Sequence, residues 1–197
     1  MEVTAIRSSL RNGTAVSNAH FDRLFPCGQR FRSSGHWTPV EVGLRVAALL
    51  APASNERVLD VGSGVGKLCL VGALATTSTW IGVESDPVMV DAARRGAKAL
   101  EIADRVEFRH GDVHSVAWSE FDAIYMFNPF AEGLLGKVVT RHERFDRDVE
   151  AALRQLAATR PGTRLVTYHG FGGVPDGFQL EHRETLNGGA LCLSIRT

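Results

Sequence analysis

The sequence predicts an α/β protein: a doubly wound, mostly parallel seven-stranded sheet with helices on both faces and an antiparallel C-terminal hairpin. Three observations predict it. From residue 57 onward, short apolar runs alternate with segments of helical period, the pattern of strand–helix units that stack into a parallel sheet covered on both faces. The first such run ends in a cluster of glycines, where a strand must turn sharply into a helix. Near the C-terminus, Asn187-Gly188-Gly189 separates two strand-like stretches, a hairpin signal.

In chain order, residues 1 to about 18 are polar and weakly patterned, which predicts a loosely held arm. The following stretch, up to Pro39, is aromatic and arginine-rich and is broken by Pro26, Gly28, Gly35 and Pro39. Residues 1–39 are therefore expected to form an N-terminal arm and lid segment, and 40–197 the domain proper. VEVGLRVAALL (40–50) places Val42, Leu44, Val46, Leu49 and Leu50 along a helical stripe, with Thr38 as N-cap and Pro39 in the first helical position. RVLDV (57–61) is a buried strand and KLCLVGALA (67–75) a helix. TWIGVE (79–84) is a second strand, and DPVMVDAARRGAKAL (86–100) a helix capped by Asp86. Strands follow at 105–111 and 121–127, joined by DVHSVAWSE, which has room for a single helical turn. The charged stretch 142–158 is a surface helix laced with ion pairs. A fifth strand at 163–169 and the hairpin complete the sheet.

Composition narrows the function classes. The 197 residues fit one domain, with 44% hydrophobic and 22% charged residues, ordinary for a globular chain. Twenty-two basic residues balance 22 acidic ones, so no global field draws the protein to nucleic acid or membrane. Cys27, Cys69 and Cys192 are scattered without a CxxC pair, which argues against a disulfide framework and a zinc site and for a reduced, cytoplasmic protein. The N-terminus lacks a signal-like apolar core, and no run approaches 18 apolar residues. Neither a metal nor a membrane is expected.

The glycines mark the candidate site. The first strand ends at Val61, so Gly62-Ser63-Gly64-Val65-Gly66 lies at its carboxyl edge, where ligands collect in open parallel sheets. Gly62 and Gly64 are expected to take positive φ and expose N–H groups, and a Cβ at either would fill ligand volume. The spacing is GxGxG. A dinucleotide fingerprint would need glycine at 67, where the chain has Lys67, and this counts against a pyrophosphate on the helix N-terminus. Glu84 ends the second strand about 20 residues on and can accept from two ribose hydroxyls; a capping carboxylate is the alternative. Asp112 follows the third strand and can accept from an exocyclic adenine amine, with an Asx-turn as its alternative.

VLDVGSGVGKL, IGVESD, RVEFRHGDV and FDAIYMFNPF, in this order, resemble the class I S-adenosylmethionine-dependent methyltransferases, with their seven-stranded, Rossmann-like fold, over roughly residues 40 to 197. The resemblance implies S-adenosylmethionine as cofactor. It implies that Asp60 helps hold the methionine end, Gly62 and Gly64 allow close approach, Glu84 takes the ribose and Asp112 the adenine edge, beside the backbone N–H of Val113. Ser63, Gly66, Ser85 and Asn128 complete the expected lining. Asn128-Pro129-Phe130 resembles a shortened (D/N/S)PP(Y/F) motif of enzymes that methylate amine or amide nitrogens, with one proline missing. A similar glycine turn and asparagine–aromatic pair occur in histone-lysine methyltransferases of this fold. Asn128, Pro129 and Phe130 are thus the implied catalytic residues, and an amine of a protein or small molecule the implied acceptor. RNA stays open.

Around this frame, His36, Trp37 and Thr38 are candidates for a lid, and Tyr168, His169 and Phe171 for the acceptor pocket. Arg23, Arg30 and Arg32, near Phe21, Phe25 and Phe31, suit an anionic substrate or RNA. No Ser-His-Asp or paired-carboxylate constellation is visible. Methyl transfer from a sulfonium depends on alignment and water exclusion and does not demand one. Two alternatives use the same turn: an NAD(P)-dependent oxidoreductase and a non-catalytic nucleotide-binding module.

Overall fold

The computed structural model describes residues 3–32, 36–128, 138–170 and 173–197. Helices α1 (Val3–Arg11) and α2 (Asn18–Phe21) precede 3-10 turns at Asp22–Leu24 and Cys27–Arg32. Then follow α3 (Val40–Leu50), β1 (Arg57–Val61), α4 (Lys67–Ala75), β2 (Thr79–Glu84), α5 (Pro87–Ala99) and β3 (Val106–His110). Two further 3-10 turns, Val113–Ser115 and Trp118–Glu120, lead to β4 (Ala123–Phe127). The chain ends with α6 (Val138–Ala157), β5 (Arg164–Tyr168), β6 (Phe178–Leu186) and β7 (Gly189–Arg196).

The seven strands form one sheet in the order β3-β2-β1-β4-β5-β7-β6. β1 to β5 are parallel, and β7 and β6 add antiparallel. The order reverses between β1 and β4, which opens a crevice above their carboxyl ends. Asn187 and Gly188 both take positive φ (48° and 76°), the conformation that a two-residue hairpin turn requires.

Strand alternation sorts the core into two layers. Val58, Trp80, Phe108, Tyr125 and Val166 face α3, α4 and α5. Leu59, Ile81, Ile124, Met126 and Leu165 face Ala152 and Leu156 of α6 and the Trp118 turn. Helix α4 is buried from Lys67 through Leu74. Gly72 permits this closeness, because a Cβ there would enter the Trp80 indole. Asp86 caps α5 as expected, accepting from Val88 N at 2.8 Å.

The structure corrects three local expectations. Residues near the N-terminus are not an unpatterned arm: α1 buries Ile6 and Leu10 in the core, an i, i+4 pair on one face. Thr38 is not the cap of α3. The helix begins at Val40, whose N–H is taken by Asn18 Oδ1 at 2.9 Å, while the buried Thr38 hydroxyl meets Tyr125 Oη at 2.9 Å. The β3–β4 connection holds two 3-10 turns instead of one. At the open edge, β6 is largely exposed and its pairing with β7 is broken between Leu180 and His182.

Candidate cofactor site

The turn after β1 is left-handed at each glycine, with φ of 72° at Gly62, 55° at Gly64 and 74° at Gly66. The three are not equivalent. A Cβ on Gly62 would meet nothing within 4 Å, and one on Gly64 only Met89 Sδ at 3.9 Å. Both face open space. A Cβ on Gly66 would enter the Phe108 ring and lie 2.8 Å from Ala93, so this glycine serves helix packing. Ser63 Oγ is buried, and its side chain sits against Gly82. It points into the protein.

Four of the turn's five N–H groups are spent, those of Gly62 and Gly64 contrary to the sequence expectation. Gly62 N and Ser63 N both donate to Val83 O at 3.0 Å, and Gly66 N donates to Ser63 O at 2.8 Å. Gly64 N donates to Glu84 Oε2 at 2.9 Å. A phosphate-binding turn needs unspent N–H groups aimed at the anion. This turn instead presents a bare Cα surface.

Glu84 is half-buried and clamped from both sides. Besides Gly64 N, it accepts from Asp86 N at 2.9 Å and from the exposed Ser85 hydroxyl at 3.2 Å. Each carboxylate oxygen has two acceptor sites; Oε1 is taken twice and Oε2 once, so one site stays open on Oε2 and rotation of the Ser85 hydroxyl opens a second. Asp60, on β1, is 4% exposed. Its Oδ2 accepts a hydrogen bond from Cys69 Sγ at 3.5 Å, and Tyr125 is its register neighbour on β4. Burial pushes its carboxyl up to about 7; the Cys69 contact opposes this and the Glu84 charge adds to it.

The third strand delivers Asp112, exposed at the start of a 3-10 turn, where Oδ1 accepts from His114 N at 2.8 Å. The Asx-type turn is therefore present, and it is what fixes this carboxylate and the adjoining Val113. Trp118 Nε1 donates to Val113 O at 3.0 Å. Gln155 on α6 accepts from Trp118 N at 3.2 Å and donates to His114 O and Val116 O, both at 3.1 Å. One amide thus holds three backbone groups of the loop, a role invisible in the sequence because the partners lie some 40 positions away.

At the end of β4, Asn128 is exposed with φ of 39°, and its N–H donates to Tyr168 O at 2.9 Å. Pro129, Phe130 and Phe171 lie outside the described residues, as do the side chains of Phe31 and Arg32. Phe127, Tyr168 and His169 form an aromatic cluster beside Asn128, with ring centroids 4.4 to 5.8 Å apart. The Tyr168 hydroxyl donates to Leu186 O at 2.9 Å, tying the cluster to the β6–β7 turn. Trp37 packs edge-on against Phe25 at 5.1 Å, and His36 is exposed. Arg30 is structural: its guanidinium donates to Phe25 O at 2.8 Å and Arg23 O at 3.0 Å. The fold thus brings Asp60, Gly62, Gly64, Glu84, Asp112 and Asn128 to one edge of the sheet.

Among the described residues, no group of three or more His, Cys, Asp or Glu is placed to hold a metal ion, and no helix is long and apolar enough to cross a membrane.

A family model described as a methyltransferase domain matches residues 58–158, which spans the glycine turn, Glu84, Asp112 and Asn128. The chain belongs to this family, the class I S-adenosylmethionine-dependent methyltransferases. Among similar proteins, the ribosomal protein L11 methyltransferase of Alkaliphilus oremlandii is 34% identical over 72 residues, 36% of this chain and 23% of that protein. The O-methyltransferase cnsE of Penicillium expansum is 32% identical over 131 residues, covering 64% of this chain and 41% of that protein. The chain thus spans less than half the length of these relatives. A solved RNA methyltransferase of Salinibacter ruber, in complex with S-adenosyl-L-homocysteine, superposes with a TM-score of 0.58 at 22% identity. That match covers 80% of this chain and 89% of the other, and it is a likeness of fold.

Proposed function

We propose that the protein transfers the methyl group of S-adenosylmethionine to an amine nitrogen of a protein side chain, lysine-like, or of a small molecule. The observation that carries the cofactor half is the glycine turn: bare on its crevice side, with four of its five N–H groups spent internally and a carboxylate at either hand. That surface accommodates a neutral adenosyl group at van der Waals distance and has already spent on Val83, Ser63 and Glu84 four N–H groups that a phosphate would use, which disfavours the oxidoreductase reading. The residues fit the cofactor. Asp60 takes the ammonium of the methionine end, Glu84 the ribose hydroxyls, and Asp112 with Val113 the adenine edge. Ser85, next to Glu84, borders the ribose, and Ser63 and Gly66 keep the turn in shape.

When bound, the cofactor supplies a methyl group on a positively charged sulfur, already activated toward displacement. The chain's task is alignment and exclusion of water. Asn128, held by its bond to Tyr168 O, accepts an N–H of the acceptor through its side-chain oxygen. The Phe127–Tyr168–His169 cluster forms a dry wall beside it, and Pro129 and Phe130, the next two residues in sequence, are assigned to acceptor binding. Residues 19–32 and 36–39 wall the other side, and the segment 19–39 selects the acceptor together with the loops after β4 and β5. The relatives' names span protein, oxygen and RNA acceptors; the asparagine at the β4 edge favours the amine.

Calorimetric titration with S-adenosylhomocysteine tests the cofactor half. Binding is expected, with about a tenfold or greater loss in Glu84→Ala; folded protein that binds nothing overturns it. For the acceptor, protein, RNA and metabolite fractions are incubated with enzyme and S-adenosylmethionine and searched by mass spectrometry for one added methyl. Methylated amine nitrogen supports the reading, and methylation confined to oxygen or RNA overturns its acceptor half.

A further inference from the structure

Lys67 is in an unexpected place. It is the first residue of α4, directly after the glycine turn, where the helix dipole repels a cation, and it is 3% exposed. Isolated burial of an ammonium is strongly unfavourable, so partners must hold it. Nζ donates to Asp22 Oδ1 at 2.7 Å and to Asn18 Oδ1 at 2.9 Å. It also lies 5.9 Å from the ring centroids of Phe21 and Trp37. Asp22 is itself 6% exposed.

Asn18 does a second job. The same Oδ1 accepts the N–H of Val40, the first residue of α3, which has no side-chain cap of its own. Three segments therefore meet at one ammonium: residues 18–22, the start of α3, and the start of α4. From this joint a short path leads to the buried carboxylate of the site. Trp37 leads to Thr38, whose hydroxyl meets Tyr125, and Tyr125 stands opposite Asp60 in the β1–β4 register. The adenosine side, with Glu84 and Asp112, is held by other contacts altogether.

We infer that Lys67, Asp22 and Asn18 are positioning residues that fix the N-terminal wall against the glycine turn and thereby set the methionine end of the cofactor site. This rests on the reading of the site as an S-adenosylmethionine pocket. It gives the N-terminal segment a fixed place in that pocket and assigns Lys67, absent from any glycine motif, the fastening. A buried pair of this kind contributes little net stability compared with an apolar pair, yet removing one partner leaves an uncompensated charge. Disturbing the joint is therefore felt locally and strongly.

The test compares two ligands on the full chain. S-adenosylhomocysteine carries the amino-acid end, and 5′-methylthioadenosine lacks it. Asp22→Asn is expected to weaken S-adenosylhomocysteine about tenfold or more while leaving 5′-methylthioadenosine within about twofold. Hydrogen exchange is expected to quicken at residues 36–40 and stay unchanged in the β6–β7 hairpin. Asn18→Ala keeps the ion pair and serves if Asp22→Asn does not fold; it gives the same split with a smaller factor. Wild-type protein that fails to bind S-adenosylhomocysteine overturns the cofactor reading and this inference with it. Wild-type binding that persists unchanged in both variants, or an equal loss for the two ligands, overturns the inference alone.

Discussion

Replacing Asp60 by asparagine should make the protein more stable, and more so as pH rises. Asp60 is buried on β1, and burial raises its carboxyl from 3.8 to about 7, with the Glu84 charge acting in the same sense. Unfolded, the group ionises near 3.8; folded, it keeps its proton until about 7. Between these values the unfolded state binds fewer protons, so its contribution to stability is fully present below pH 3.8 and is lost as pH climbs through 7. The loss amounts to about 4 kcal/mol at 1.36 kcal/mol per pH unit. Asparagine has the same shape, can still accept from Cys69, and carries no proton to lose. Urea denaturation of wild type and Asp60→Asn at pH 5, 6, 7 and 8 gives the difference directly, because other titrating groups cancel. The variant should gain with each step up to about pH 7 and then level off. A difference that is flat with pH, or a variant less stable than wild type at pH 8, would show that Asp60 is not a destabilised buried acid.

The same residue gives a binding prediction. If Asp60 takes the ammonium of the cofactor, affinity for S-adenosylhomocysteine should rise by up to about tenfold per pH unit below 7 and level off above it, and titration calorimetry of Asp60→Asn should show no such rise. Two glycines should separate fold from ligand. Gly62→Ala should cost about 1 kcal/mol of backbone strain but abolish binding, whereas Gly66→Ala, driven into Phe108 and Ala93, should lose about 3 kcal/mol. Melting curves beside titrations distinguish the two, and equal melting losses would contradict the assignment. Gln155→Ala releases three backbone groups around Trp118; it should lower stability by about 1–3 kcal/mol and weaken 5′-methylthioadenosine binding, read by denaturation and calorimetry.

What the sequence disclosed was local and periodic. Parallel strands wrote themselves as apolar runs, Asn187-Gly188 announced the hairpin, and Asp86-Pro87 marked the start of α5. The ordered set of Asp60, Gly62, Gly64, Glu84 and Asp112 pointed to the carboxyl edge of the parallel strands, where the fold brings them together. Three things escaped. Helix α1 buries only Ile6 and Leu10, too few apolar positions among serines and arginines to register as a stripe. The cap of α3 comes from Asn18, 22 positions away, so the nearest plausible cap, Thr38, misled. Lys67 read as a missing glycine, because the acid that buries it lies 45 positions earlier. The destination of the turn's N–H groups was likewise hidden, since Val83 O belongs to the neighbouring strand.

The outer strand β6 carries a consequence for how the protein behaves in crowded solution. An unpaired strand border is a template onto which other chains can graft themselves. Here that border bears Glu181, His182, Arg183 and Glu184 in succession, and its alignment slips beside Leu180. An incoming strand would meet mismatched hydrogen-bond spacing and ionic groups of both signs. Smoothing that margin with threonines and valines would turn a self-limiting molecule into one prone to growing fibres.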